Sequence, residues 1–296
     1  MSGAQATLRV LPFALLVDEA WRSTRRGFRA IWVPLAVALA PAALALQVVA
    51  NVWNLQLLGV DESTDLGLMC GSVLLLLALA LLAGLYFFFL YGTMMVAVLH
   101  TLDRGDPDLR GSLRTFLRPG IWGTHLMAWA LTLLGYLACL LPGLLLMAAW
   151  GLRLPVMVEE GRLGFAALGR SWELLSHNPS GSLLRHPLLK MMLVFLLAIV
   201  LGYSVALAIQ MPALAVTQWM MFREVAAGEA ADPEAVVRAT LWLTIPSGVL
   251  ASLAQLAVQL YFDFLVAHFY FDQRRRREGQ DLEAALAELA GGEVPP

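Results

Sequence analysis

Long apolar runs separated by short polar segments set the pattern of this chain. A helix needs about 20 apolar residues to cross a bilayer, and such runs fall at 30–52, 68–99, 121–140, 188–209 and 241–270. A sixth run, 143–158, is shorter and holds Arg153 and Pro155, so its place has to be decided by charge. Lipid offers no partner to a bare backbone, and these runs show no strand-like alternation, so they must cross as helices. The pattern predicts an all-α polytopic membrane bundle of six transmembrane helices.

A different period appears ahead of three of the runs. Phe13, Leu16, Ala20, Trp21 and Phe28 share one side of a helix over 12–27, with Asp18, Glu19, Arg22 and Arg26 elsewhere. Leu109, Leu113, Phe116 and Leu117 do the same over 109–118, and Phe165, Leu168, Trp172 and Leu175 over 163–176. Helices of this kind lie in the interface, apolar face down and arginines toward headgroups. The order predicts three units, each an interfacial helix followed by a hairpin, within one integral membrane domain over 1–290. The Met-rich stretch from Met211 to Met221 reads as a surface helix, Glu278 to Leu289 as a short helix, and 291–296 as a disordered tail.

Composition strengthens the membrane reading. Charged residues make up 14% of the chain and hydrophobic ones 59%, with a mean hydropathy of +0.72, whereas a soluble domain is about a quarter charged. The net charge of -2 says little, but the placement of the cations says much. Arg22, Arg25, Arg26 and Arg29 precede the first run, and the loop after it carries Asp61, Glu62 and Asp65 without a cation. Arg104, Arg110, Arg114 and Arg118 follow the second run, Arg162, Arg170, Arg185 and Lys190 precede the fifth, and Arg274 to Arg277 close the sixth. Positive segments stay cytoplasmic, so the chain must cross twice between Arg118 and Arg162. That makes 143–158 a span and Pro142-Gly143 its outer turn. Only Arg223 and Arg238 oppose the bias, and both termini are expected in the cytoplasm of a bacterial inner-membrane protein.

The first residues show no secretory signal, since the run from Val10 to Val17 contains Pro12 and leads into Asp18 and Glu19. Two cysteines, Cys70 and Cys139, are too few for a disulfide framework. Both fall near non-cytoplasmic helix ends, which leaves pairing open beside the simpler reading of small buried thiols.

Ionisable residues inside spans are functional candidates. On the last span Ser252, Gln255, Gln259 and Asp263 recur at three-to-four-residue steps, with His268 close to the stripe. A polar pathway for a proton, cation or headgroup would need such a row. Interhelical hydrogen bonding explains Ser252, Gln255 and Gln259 as simply, and Asp263 least well. Glu159 and Glu160 pair carboxylates at the end of the fourth span, beside Arg153 and Arg162, where solvated interface charge competes with acid–base or metal work. No His or Asp stands at metal-ligand spacing beside them, and no nucleotide loop, zinc pattern, nucleophile elbow or nucleic-acid signature occurs. No cofactor is expected. Trp21, Trp32, Trp53, Trp122, Trp172 and Trp219 mark interface depth.

Several blocks together carry a family likeness. L-P-G at 141–143, L-P-V-M-V-E-E-G at 154–161, A-L-G-R-S-W-E-L at 167–174, F-Y-F-D-Q-R-R-R-R-E-G-Q-D-L-E at 269–283 and E-A-W-R at 19–22 resemble the membrane domain of some glycerophosphoryl diester phosphodiesterases and related bacterial multi-helix membrane proteins. The resemblance covers nearly the whole chain. It implies a six-helix inner-membrane fold and no phosphodiesterase chemistry, because that belongs to a separate soluble barrel for which this sequence has no room. On the signature positions it implies a shared cytoplasmic surface built from Glu159, Arg170, Trp172, Asp272, Arg274, Glu278 and Asp281, to which the adjacent Glu160 is added as a candidate, with Pro142, Gly143, Pro155, Ser171 and Gly279 marking the fold. Glu160 and the run of four arginines depart from the pattern.

The expectation for function is a non-enzymatic membrane module that binds or organises membrane lipid or a membrane or cytoplasmic protein partner. The alternative is a transporter or channel for a small solute, proton or lipid along the stripe on the last span. Intramembrane enzymology comes third, for lack of a catalytic set.

Overall fold

The computed structural model describes residues 12–58, 66–176, 186–226 and 233–291. Every element among them is α-helical: α1 (Phe13–Leu58), α2 (Leu66–Arg104), α3 (Leu109–Phe116), α4 (Pro119–Ala138), α5 (Leu140–Ala149), α6 (Arg153–Glu159), α7 (Phe165–Ser176), α8 (Pro187–Ala226) and α9 (Pro233–Gly291). Six stretches are long and apolar enough to cross a membrane, on α1, α2, α4, α5 with α6, α8 and α9, and each overlaps one of the expected spans. Leu74, Leu75, Leu77, Leu81 and Leu82 on α2 are all more than half exposed. Only lipid accepts such a surface in quantity. The chain is a multi-pass, all-α membrane protein.

Continuity is the main difference from the expected elements. The segment expected as a first interfacial helix runs into its span without a break, making α1 46 residues long. Met211 to Met221 lies inside α8, and the expected short helix at 278–289 is the end of the 59-residue α9. Pro34, Pro41, Pro212 and Pro246 sit within these helices, tolerated where neighbours take up the freed polar groups. The acidic loop at Asp61, Glu62 and Asp65, together with Arg185 and 292–296, lies outside the described residues.

The expected outer turn at Pro142-Gly143 is corrected. The reversal is made at Cys139 alone, whose extended backbone (φ −172°, ψ 153°) both ends α4 and starts α5. Pro142 occupies the first turn of α5, where a missing N–H costs nothing. Gly143 is a close-approach residue: its Cα lies 3.1 Å from where a Cβ on Gly135 would stand, and a Cβ on Gly143 would enter the Tyr136 ring. Two glycines let α4 and α5 meet backbone to backbone.

The fourth span is not one helix. It breaks at Trp150 to Leu152 between α5 and α6.

The chain folds as two compact units. One contains, of the described residues, 12–28, 93–197 and 261–291, and its core includes Leu16, Leu99, Phe116, Leu152, Leu175 and Phe264. In it Phe13 meets Phe269 and Trp21 meets Tyr261, both edge to face. The other contains 29–92 and 198–260, with Ile31, Leu39, Ala213 and Leu256 buried. There Trp32 donates to the Leu253 carbonyl at 3.3 Å, Tyr86 to the Ala38 carbonyl and Thr244 to Asn51 Oδ1 at 3.5 Å.

Candidate functional site

The densest polar chemistry lies in the first unit, where 159–176 meets the end of α9. Glu160 closes α6, its N–H bonded to the Val156 carbonyl at 3.0 Å. The chain then turns through Gly161 (φ +67°) and Gly164 (φ +60°), conformations that a side chain strains. Gly164 N donates to Thr124 Oγ1 at 2.8 Å, tying the turn to α4 before α7 begins.

α7 is amphipathic, as its sequence predicts, but its apolar face meets protein. Leu168, Leu174 and Leu175 are buried, and of the expected lipid-facing set only Phe165 and Trp172 remain exposed. On α3 Phe116 is likewise fully buried while Leu113 and Leu117 are exposed. Both helices are therefore held by one edge and open along another.

Ser171 shows why α7 sits where it does. Its hydroxyl donates to the Ala149 carbonyl at 2.8 Å and accepts from Leu152 N at 3.2 Å. Those are groups orphaned by the break between α5 and α6, and buried orphans are costly.

Beyond Ser171 a chain of ion pairs joins α7 to α9. Arg170 Nε lies 3.0 Å from Glu160 Oε2, and the two side chains are only 12% and 9% exposed. The Arg170 guanidinium also reaches Glu173 at 3.3 Å and Glu278 at 3.8 Å. Arg277 pairs with the Glu173 carboxylate and donates to its backbone carbonyl at 2.7 Å. Tyr270 donates to Glu160 Oε1 at 3.1 Å, Arg162 adds a contact to Glu160 at 3.2 Å, and Arg274 pairs with Glu278 at 2.8 Å. Burial by itself would lower the pKa of Arg170, but the Glu160 and Glu173 carboxylates outweigh it and hold the guanidinium above its ordinary value. It stays charged at any physiological pH.

Of the expected surface residues, Glu160, Arg170, Arg274 and Glu278 come together in this cluster. Asp272 is buried on α9 and pairs with Arg276 at 2.7 Å. Trp172 stands exposed beside the cluster, and Glu159 makes none of its ion pairs among the described residues. The side chain of Asp281 lies outside the described residues. Glu173, Tyr270 and Arg277 complete the cluster without having been expected. The three-residue step from Arg170 to Glu173 was a readable signal; the pairing of Tyr270 with a residue 110 positions away was not.

The polar stripe divides differently. Ser252, Gln255 and Gln259 belong to the second unit, Asp263 and His268 to the first. Ser252 spends its hydroxyl on the Gly248 carbonyl of its own helix at 3.0 Å, and His268 Nε2 lies 2.9 Å from Ser23 Oγ. Asp263 is buried. Arg153, at the start of α6, donates to His125 Nδ1 at 3.2 Å and to the Trp150 carbonyl at 2.9 Å. Among the described residues no three His, Cys, Asp or Glu gather as a metal-binding group. The ion-paired cluster fixes shape and leaves little carboxylate free for chemistry.

Comparison with protein-family models, curated proteins and solved structures finds no match to this chain.

Proposed function

We propose that this chain is a bacterial inner-membrane protein with both termini in the cytoplasm, a module without catalysis of its own that binds or organises lipid or a protein partner through its cytoplasmic face. The observation that carries the reading is the Glu160–Arg170–Glu173–Arg277 chain of ion pairs. It clamps α7 against α9 and leaves Phe165 and Trp172 exposed on a fixed support. Only the Glu160–Arg170 pair at its centre is nearly buried, with Glu173 and Arg277 partly exposed, and an ion pair held so far from water serves a defined arrangement more than stability.

The distribution of cations supports the orientation. The first unit holds the basic segments around Arg22, Arg104, Arg162 and Arg274, while the second has only Arg29, Arg223 and Arg238. By the positive-inside rule the helix ends at those basic segments are cytoplasmic. The clamp is made from blocks that resemble the membrane domain of glycerophosphoryl diester phosphodiesterases, and on that likeness we assign these residues to the same group of membrane domains.

A second reading, transport of a small solute, proton or lipid, rests on buried Asp263. Ser252, bonded to its own helix, weakens it. Crosslinking and co-purification from native membranes, run beside solute flux into liposomes holding only the purified chain, separate the two. A stable partner or retained lipid without flux is the expected result. Flux that is lost in Asp263→Asn establishes transport instead, and release of phosphate from lipid by the pure chain establishes an enzyme.

A further inference from the structure

We infer that α3 and the turn that follows it present a binding surface for anionic phospholipid headgroups, with Arg110, Arg114 and Arg118 as the phosphate contacts and Leu113 and Leu117 inserted beside them. This rests on the lipid-or-partner reading above and names one ligand class for one helix.

α3 is pinned by its opposite side. Ser112 and Phe116 are fully buried, Ser112 Oγ lies 2.9 Å from His100 Nδ1, and the Phe116 ring meets His125 edge to face at 5.6 Å between centroids. Asp108 caps the helix by accepting from Gly111 N at 2.8 Å. With one face held, a step of four residues places Arg110 and Arg114 away from it, Arg118 follows in the turn that caps α4, and all three are exposed. Leu113 and Leu117, 42% and 47% exposed, border that row.

Charge pairing distinguishes this row from most arginines of the same unit, although Arg25, Arg26 and Arg275 also lack a carboxylate within 4 Å among the described residues. Arg22, Arg104, Arg162, Arg170, Arg274, Arg276 and Arg277 each meet a carboxylate within 4 Å. Arg110, Arg114 and Arg118 meet none among the described residues. The nearby acids, Asp103, Asp106 and Asp108, stand before the helix, and Asp103 is paired with Arg104 while Asp108 is spent as the cap. Arg118 immediately precedes Pro119, where α4 enters its span. A cation row with leucines on its flank at the start of a membrane helix is complementary to phosphate above acyl chain. A protein partner would call for a shaped apolar pocket beneath the row, and the leucines instead stand exposed.

The test uses the full chain in phosphatidylcholine nanodiscs, where orientation is immaterial, doped with spin-labelled phosphatidylglycerol or spin-labelled phosphatidylcholine. The motionally restricted fraction in the electron paramagnetic resonance spectrum reads lipid selection. Wild type is expected to prefer phosphatidylglycerol, with a preference that collapses at high salt. R110Q/R114Q/R118Q is expected to lose it, by up to about fivefold per arginine at low salt. Wild type without the preference overturns the inference, even if the variant does not fold. A folded variant that keeps the wild-type preference overturns it too, and one that keeps it while losing a co-purifying protein hands the surface to that protein. Solute flux by pure wild type would sink the underlying reading instead, whatever the lipid spectra show.

Discussion

At the scale of single residues, Ser171 does most with least. One hydroxyl closes both polar gaps left by the break in the fourth span. Ser171→Ala leaves a buried carbonyl and a buried N–H unpaired, and is expected to cost about 1–3 kcal/mol. Ser252→Ala removes a hydroxyl bonded only within its own helix and is expected to be near neutral. Thermal midpoints in detergent compare the two; equal shifts would mean that Ser171 does not bridge the break. Arg170→Gln leaves Glu160, whose side chain is 9% exposed, with only Tyr270 and the half-exposed Arg162 as partners, and is expected to destabilise by about 1–3 kcal/mol. The double variant with Glu160→Gln is expected to recover part of that loss. Ser171 and Arg170 could be singled out within a motif, but which groups they would meet could not, because the break in the span exists only once α5, α6 and α7 are packed.

At the scale of elements, two glycine sites predict opposite outcomes. A Cβ on Gly143 would run into the Tyr136 ring, near a place where the α5 backbone comes within 3.1 Å of where a Cβ on Gly135 would stand. Neither group can move aside easily, so Gly143→Ala is expected to cost about 1–3 kcal/mol, partly relieved by Tyr136→Ala. A Cβ on Gly248 would meet the amide end of Gln47, a flexible tip that can rotate away, so Gly248→Ala is expected to be mild. Midpoint shifts of the three variants decide this, and an equal cost at both glycines would contradict it. Hydropathy located the hairpin but not its turn. Pro-Gly reads as a reversal from sequence, yet a proline also fits the first turn of a helix and a glycine also fits a close crossing. The packed hairpin uses both residues in those second ways.

At the scale of the whole molecule, topology is the property to test first. Reporter fusions after residues 118, 183 and 291 are expected on the cytoplasmic side and those after 60 and 230 outside, as six crossings with cytoplasmic ends require. A single-cysteine chain retaining exposed Cys139 is expected to react with an impermeant maleimide added outside intact cells. Labelling only after lysis would place the α4–α5 reversal on the other side, and with it the basic segments of the first unit. The six spans were legible because lipid imposes length and apolarity on each crossing separately.

The sequence alone determined class, helix content and the six spans, since these follow from local composition and from a solvent that satisfies no backbone group. Tertiary structure decided what depends on neighbours distant in the chain. The first amphipathic segment continues α1, α7 turns much of its apolar face to protein, Cys139 makes the reversal, and Tyr270 reaches Glu160. Most of all it decided which arginines are paired. Charge can be counted along a sequence, but a counter-ion is a matter of geometry, so Arg110, Arg114 and Arg118 stood out as a row without carboxylate partners only when Arg22, Arg104, Arg162 and Arg274 were each seen with one beside them.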